Sequence, residues 1–263
     1  MLKKVIVFGS NGFLGQHLYN RLLSLGHQVL RGNREGEIPE KVDILYDVAS
    51  YGNIWGQDDK MEMYRVNVER LGKILNQKKK YKQAVITSTS SVTMQHTTDY
   101  ALSKAGAEEI ASEYGATVMR PASVTGVGEQ DQHLIPKLID SCLNGTEMEF
   151  VPSPTHDFID VTDVVSAYTF VAENWEKCKG KTFQVSKNRS YSNEEVKYLI
   201  EQETGSKANV KIVDNLRPYD SKDWKIDNTD LLELGWVPLV SLAQSIRSMV
   251  LSSYANKSMR TML

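Results

Sequence analysis

The sequence predicts an α/β protein built on a doubly wound parallel sheet, and three observations carry that prediction. Short β-rich apolar runs, at Val5 to Phe8, His27 to Leu30, Val42 to Val48 and Ala84 to Ile86, alternate with stretches of helical periodicity. The first run leads into three glycines spaced by three, Gly9, Gly12 and Gly15. The fourth opens into five hydroxyl residues, Thr87 to Ser91, at the carboxyl end of a strand, where ligands sit in open α/β sheets.

The chain has 263 residues, enough for one large α/β domain or a domain with a small lobe. A net charge of -2 with 24% charged residues argues against a nucleic-acid partner or a polybasic membrane surface. Cys142 and Cys178 are the only cysteines and lack metal-site spacing, so neither a disulfide frame nor a metal site is expected. The start, Met-Leu-Lys-Lys, runs directly into an apolar strand without a secretory pattern, and no apolar run reaches membrane-spanning length. A cytoplasmic location is expected.

From Phe13 the apolar residues take helical spacing, at Leu14, Leu18, Leu22 and Leu25, and the pattern ends at Gly26. Strand, glycine turn and helix together form a pyrophosphate seat. Glycines let the backbone approach the phosphates, and the free N–H groups of the helix start face the negative charge. The end of the second strand reads Arg31-Gly32-Asn33-Arg34, with no carboxylate before Glu35. An acidic residue there would accept from the ribose hydroxyls of NAD; two guanidiniums and an amide suit the 2′-phosphate of NADP. NADP(H) is therefore the favoured cofactor, with NAD(H) the alternative.

Only about a dozen residues separate the second and third strands, so the usual crossover helix there is short or missing. Residues 58 to 80 carry a helical pattern, Met61, Tyr64, Val68, Leu71 and Leu75, with Asn67 polar inside it and a basic end from Lys78 to Lys82. Tyr100 and Lys104 lie four residues apart on a helix expected to run to Tyr114, which puts phenol and ammonium on one face. A nearby ammonium favours the phenolate and lowers the tyrosine pKa, so the pair can move a proton while a hydride moves to or from a dinucleotide.

With these pieces in order, the chain resembles the extended short-chain dehydrogenase/reductase family, the NAD(P)-dependent nucleotide-sugar epimerases, dehydratases and ketoreductases, from residue 3 to about 250. The G-x-x-G-x-x-G spacing is that family's. Asp43 to Ala49 resembles its D-x-V-x-H-x-A strand, with Asp47 in place of the usual His, and Val66-Asn67-Val68 its x-N-V helix. Val85 to Val92 resembles the segment with the catalytic hydroxyl, which puts Thr89 in that role, with Ser88 and Ser90 as the neighbours that a one-residue shift of register would put there instead. Met119 to Gly126 resembles L-R-P-x-N-V-Y-G, His133 to Pro136 resembles N-L-I-P, and His156 to Val164 resembles R-D-F-I-H-V-D-D-V. Arg217-Pro218-Tyr219-Asp220 resembles the R-P-x-D diphosphate clamp, and Asp227 with Leu234 to Pro238 the closing D…L-G-W-x-P.

The resemblance implies a Rossmann-type sheet of six or seven parallel strands with a small C-terminal substrate-binding lobe. The expected division is 1–123 plus 156–186 for the NAD(P)-binding domain, 124–155 plus 187–250 for the lobe, and 251–263 as a polar tail. It implies Thr89, Tyr100 and Lys104 as the catalytic set. For the cofactor it implies Gly9, Asn11, Gly12, Phe13, Leu14, Gly15, Arg31, Asn33, Arg34, Ala49, Ser50, Thr87, Ser88, Tyr100, Lys104, Pro121, Ser123 and Val124. For a nucleotide-sugar substrate it implies Tyr51, Thr89, Ser90, Ser123, His133, Leu134, His156 and Arg217. It also allows a homodimer through the Tyr100–Lys104 helix.

The departures sharpen the expectation. Ser90 and Ser91 follow Thr89 where the family's 4,6-dehydratases carry an Asp-Glu pair, which counts against a dehydratase. His156 stands where an arginine usually holds a phosphate. A 4-ketoreductase using NADPH is the leading expectation, followed by a 4-epimerase that retains NAD. A non-catalytic dinucleotide-binding regulator is third, because both Tyr100 and Lys104 are present.

Overall fold

The structure is a computed structural model that describes residues 2–54, 56–94, 98–214 and 224–261, the last six of these as helix backbone only. The chain divides into two compact units: Met1–Ala122, Val164–Val185 and Asn228–Val237 in the first, and Ser123–Asp163, Ser186–Asp227 and Pro238–Leu263 in the second.

In chain order the elements begin with β1 (Lys4–Phe8), α1 (Phe13–Ser24), β2 (Gln28–Arg31) and β3 (Ile44–Asp47). Then come α2 (Lys60–Tyr64), a π-helical turn (Arg65–Glu69), α3 (Arg70–Leu75), β4 (Gln83–Thr87), α4 (Asp99–Glu113) and β5 (Thr117–Pro121). The middle of the chain forms β6 (Ser123–Thr125), α5 (Leu134–Asn144), β7 (Met148–Phe150), β8 (Thr155–Asp160), α6 (Val161–Glu173), α7 (Trp175–Cys178) and β9 (Thr182–Val185). The last elements are β10 (Ser190–Ser192), α8 (Asn193–Thr204), β11 (Val210–Ile212), α9 (Thr229–Glu233) and α10 (Leu242–Thr261).

The first unit is a six-stranded, all-parallel sheet in the order β2-β1-β3-β4-β5-β9. The middles of its central strands β1, β3 and β4 are apolar and buried, as in a sheet covered on both faces. Alternate residues Ile6, Phe8, Leu45, Ala84, Ile86 and Val118 pack with Leu71, Ile74, Leu75, Ala107 and Ala111 of α3 and α4. No helix lies between β2 and β3; Ile38 and Val42 of that connection fill the same core as a loop.

The helical pattern over 58–80 is broken by the π turn. One extra residue per turn rotates the face, so Met61 (79% exposed) and Tyr64 (52% exposed) point to solvent while Met63 and Val68 are buried. Asn67 lies in that turn and is buried. Its amide oxygen accepts from the Tyr51 N–H at 2.9 Å, and its amide nitrogen donates to the Tyr51 carbonyl at 2.8 Å and to Ser103 Oγ at 2.9 Å.

The second unit holds a three-stranded sheet, β10-β8-β6, and a two-stranded one, β11-β7. Its core joins Ile135, Leu138 and Ile139 of α5 to Val196 and Ile200 of α8 and to Ile246 and Val250 of α10. The polarity of the sequence end predicts a frayed tail from 251, but α10 continues to Thr261. Helix propagation from a packed first half costs little, even where Leu251 and Tyr254 face solvent. β8 pairs with β6 and β10, so residues 156–160 lie in the second unit, not with the parallel sheet. Among the described residues no helix is long and apolar enough to cross a membrane.

Candidate active site

The turn after β1 is shaped by its glycines. Gly9 has φ +80°, and a Cβ there would meet the Ala49 backbone nitrogen at 2.5 Å. At Gly15 a Cβ would fall 2.0 Å from the Gly9 carbonyl oxygen, so α1 packs against the turn only without a side chain. Gly12 differs: a Cβ there meets only the Gly9 oxygen, at 3.4 Å. The space over Gly12 is open, as close approach of a pyrophosphate requires. Gly12 is also the N-cap of α1, with no side-chain cap and no acidic residue in the first turn. The helix start therefore carries uncancelled positive potential where Phe13, Leu14 and Gly15 begin.

Arg31 closes β2 and folds back onto this turn. Its Nη1 donates to Asn11 Oδ1 at 2.8 Å, to the Ser10 carbonyl at 3.2 Å and to Ser10 Oγ at 3.3 Å, while the guanidinium lies over the Tyr19 ring. Asn33 turns the other way: its side-chain oxygen accepts from the Gly36 and Glu37 N–H groups. Arg34 is exposed.

At the β3 end, Asp47 accepts from Ala49 N–H at 3.2 Å, and Ser50 Oγ donates to the Tyr100 phenol oxygen at 3.4 Å. Tyr100 is partly exposed, in the first turn of α4, which Thr98 caps through a 3.1 Å bond from the Ala101 N–H. Burial pushes the Tyr100 pKa up, against the smaller opposing effect of the Ser50 hydrogen bond. The direction is opposite to the lowering that the Tyr100–Lys104 spacing predicts, because removal of water from the phenol sets it.

Lys104 is 2% exposed and makes no hydrogen bond or ion pair among the described residues. Burial drops its pKa to about 8, with Asp47 and Glu108 acting upward and Arg70 downward. A buried ammonium without a protein acceptor is a group waiting for a ligand's oxygens. Together with the open seat over Gly12, it fits the residues to a dinucleotide.

The hydroxyls after β4 divide by role. Thr87 is buried and accepts from Tyr168 Oη at 2.9 Å. Ser88 is buried and donates to Glu108, which Arg120 grips through two nitrogens. Ser90 is buried at the start of a short 3-10 turn, Ser90–Thr93. Thr89 is partly exposed; its Oγ1 caps that turn by accepting from the Ser91 N–H at 3.2 Å and donates to Ser91 Oγ at 3.1 Å. With Ser91 it is one of the two hydroxyls from Thr87 to Ser91 that are neither buried nor held by a charged side chain. Tyr51 lies two residues past Ala49, its backbone fixed by Asn67. Pro121 ends β5.

The remaining expected residues belong to the second unit. Ser123 and Val124 form β6. His133 is the N-cap residue of α5, its Nδ1 3.0 Å from Glu129 Oε1, and Glu129 also accepts from Thr125 Oγ1 at 2.7 Å. Leu134 packs on the core of that unit. His156 on β8 lies 5.5 Å from the Phe158 ring and 5.3 Å from that of Trp224. Arg217 lies outside the described residues.

Sequence reading missed a buried ion pair, Asp47–Arg70, and a partly buried one, Glu108–Arg120. The second had a signal: Glu108 follows Lys104 by four residues on the Tyr100 face of α4.

The pattern of the NAD dependent epimerase/dehydratase family matches residues 41–186. CDP-abequose synthase from Salmonella typhimurium is 24% identical over 94% of this chain and 97% of its own length. Among solved structures, MoeE5 in complex with UDP-glucuronic acid and NAD superposes with a TM-score of 0.87 at 19% identity, covering 97% of this chain and 99% of that one. RMD from Pseudomonas aeruginosa complexed with NADPH gives 0.85 at 19% identity over the same shares. With the glycine turn, the parallel sheet and the Tyr100–Lys104 helix in place, the conclusion is direct: the chain is an enzyme of the NAD dependent epimerase/dehydratase family.

Proposed function

We propose that this enzyme is an NADPH-dependent 4-ketoreductase of a nucleotide-activated sugar. The observation that carries the reading is Arg31, fixed over the glycine turn at the end of β2 with no carboxylate beside it. Such a guanidinium favours a 2′-phosphate, and NADP(H) is the cofactor of net reduction. The similarity to a synthase of a CDP-linked sugar supports the substrate class.

Gly9, Gly12 and Gly15 with the α1 start hold the pyrophosphate, and Arg31 with Asn11 and Arg34 the 2′-phosphate. Lys104 donates to the nicotinamide ribose, beside Ala49 and Ser50. A bound reduced nicotinamide supplies the hydride to the sugar's carbonyl carbon. Tyr100 Oη gives its proton to the carbonyl oxygen as the charge develops, and Thr89 Oγ1 hydrogen-bonds the same oxygen. The raised Tyr100 pKa suits this direction, because the phenol keeps its proton until the oxygen needs it. Ser123, His133, Leu134, His156 and Arg217 are assigned to the nucleotide sugar.

The test is a fluorescence titration of purified protein with NADPH and NADH, after any retained dinucleotide has been identified. An empty site with at least tenfold preference for NADPH supports the reductase. Tightly retained NAD supports the 4-epimerase instead.

A further inference from the structure

The loop from β6 to α5 brings a carboxylate onto an imidazole. Its backbone is pinned at both residues: the Glu129 N–H donates to the Gly126 carbonyl and the His133 N–H to the Gln130 carbonyl, each at 3.0 Å. The Glu129 side chain is 5% exposed and that of His133 34%. Glu129 Oε1 lies 3.0 Å from His133 Nδ1, and Oε2 accepts from Thr125 Oγ1 at 2.7 Å. Thr125 is fully buried at the end of β6. Both carboxylate oxygens are thus engaged, and the group cannot turn away from the ring. Among the described residues no lysine or arginine pairs with Glu129, and His133 Nε2 has no hydrogen-bond partner.

The two ring nitrogens therefore differ. An ionised carboxylate only accepts, so the hydrogen of the Glu129–His133 bond is carried by Nδ1. In the neutral ring that leaves Nε2 with its lone pair, the reverse of the tautomer that free histidine favours in water. His133 stands where the N-L-I-P pattern has Asn. An amide offers a donor and an acceptor; a neutral imidazole fixed in this way offers an acceptor alone.

The geometry points to Glu129 as a positioning residue for substrate binding: it holds the Nδ1–H of His133 and so presents Nε2 as a fixed acceptor for an O–H or N–H donor of the nucleotide sugar. A phosphate oxygen, itself an acceptor, is not the partner of such a nitrogen. The inference rests on His133 belonging to the nucleotide-sugar site, and it names the chemistry that His133 recognises there.

The experiment labels the ligand-free protein with [15N]histidine and records long-range 1H–15N correlations at about pH 8.5, where an ordinary imidazole is neutral. His133 is assigned with His133→Ala. The wild type should carry its proton on Nδ1 with Nε2 bare, and Glu129→Leu, of similar volume without an acceptor, should move the proton to Nε2. In turnover of a nucleoside-diphosphate 4-keto-6-deoxyhexose, each single variant should raise KM by about tenfold with kcat within about threefold, the loss of one hydrogen bond. Glu129→Leu should add nothing in the His133→Ala background, because it acts through that ring. A loss confined to the keto-sugar marks a sugar hydroxyl as the donor; an equal loss in affinity for the matching nucleoside diphosphate marks a base N–H. If Glu129→Leu does not fold, the wild-type tautomer and the KM of His133→Ala carry the test. A proton on Nε2 in the wild type, an unchanged tautomer in folded Glu129→Leu, or additive effects on KM overturns the proposal. Failure of the wild type to reduce the keto-sugar would instead overturn the functional reading and leave the tautomer result standing.

Discussion

The Arg31 guanidinium lies 3.9 Å from the centre of the Tyr19 ring. The stack, with the 2.8 Å bond to Asn11, holds a surface charge at one place before any ligand arrives. Arg31→Ala should weaken NADPH binding by about 10- to 100-fold and leave NADH within about twofold, because one charge-assisted contact to a phosphate is lost. Tyr19→Ala should give a smaller loss in the same direction. Nicotinamide fluorescence titration measures both; equal losses for NADPH and NADH would remove Arg31 from phosphate recognition.

Tyr100→Phe removes the proposed proton donor and keeps the ring. Turnover should fall by about 10²- to 10⁴-fold while NADPH affinity stays within about threefold. Single-turnover absorbance at the reduced nicotinamide band separates the two quantities. An unchanged rate would take Tyr100 out of the chemistry.

Ser88 and Thr89 are adjacent but differently employed. The Ser88 hydroxyl is spent on Glu108, so Ser88→Ala should cost about 1–2 kcal/mol of stability and little rate. Thr89→Ala should lower kcat by about 10- to 100-fold with only the loss of a short cap in stability. Thermal melts and kcat for the two variants decide the matter; the opposite pattern would make Ser88 the catalytic hydroxyl.

Lys104 is pushed down to about 8, so its ammonium is present below that pH and lost above it. Tyr100 is pushed up and stays protonated across the same range. For reduction, kcat/KM should therefore be flat from about pH 6 to 7.5 and fall above about 8. A limb at higher pH would assign the loss to another group.

Asp157 on β8 is fully buried and accepts from the backbone N–H groups of Lys187, Arg189 and Ile226. Asp157→Ala strands those donors and should destabilise the fold by about 3 kcal/mol or more. Burial raises its pKa to about 6, so its contribution to stability is full below about pH 4 and is lost as pH rises through about 6. Denaturant melts at pH 4.5 and 7 should show that slope in the wild type and its absence in Asp157→Asn.

What the sequence made legible was local. The spacing of Gly9, Gly12 and Gly15 and of Tyr100 and Lys104 is set by turn and helix geometry within a few residues, and the structure realises both. The missing helix between β2 and β3 could be read from length alone. Pairings across the chain could not: Asp47 and Arg70 are 23 residues apart, and Thr87 and Tyr168 are 81 apart. The π turn at Arg65–Glu69 breaks a strict 3.6-residue pattern, which is why Met61 and Tyr64 share the helical pattern of Val68, Leu71 and Leu75 in the sequence but not their burial. The direction of the Tyr100 shift was hidden for a related reason, since spacing reveals a neighbouring charge but not how much water the fold removes.

The most direct measurement of the central claim is turnover with NADPH and a nucleoside-diphosphate 4-keto-6-deoxyhexose, with absorbance and product sugar quantified together. The account predicts one NADPH oxidised for each keto-sugar reduced, and turnover lower by at least about 10²-fold in Tyr100→Phe. Interconversion of 4-epimeric nucleotide sugars with no net NADPH consumption would contradict it.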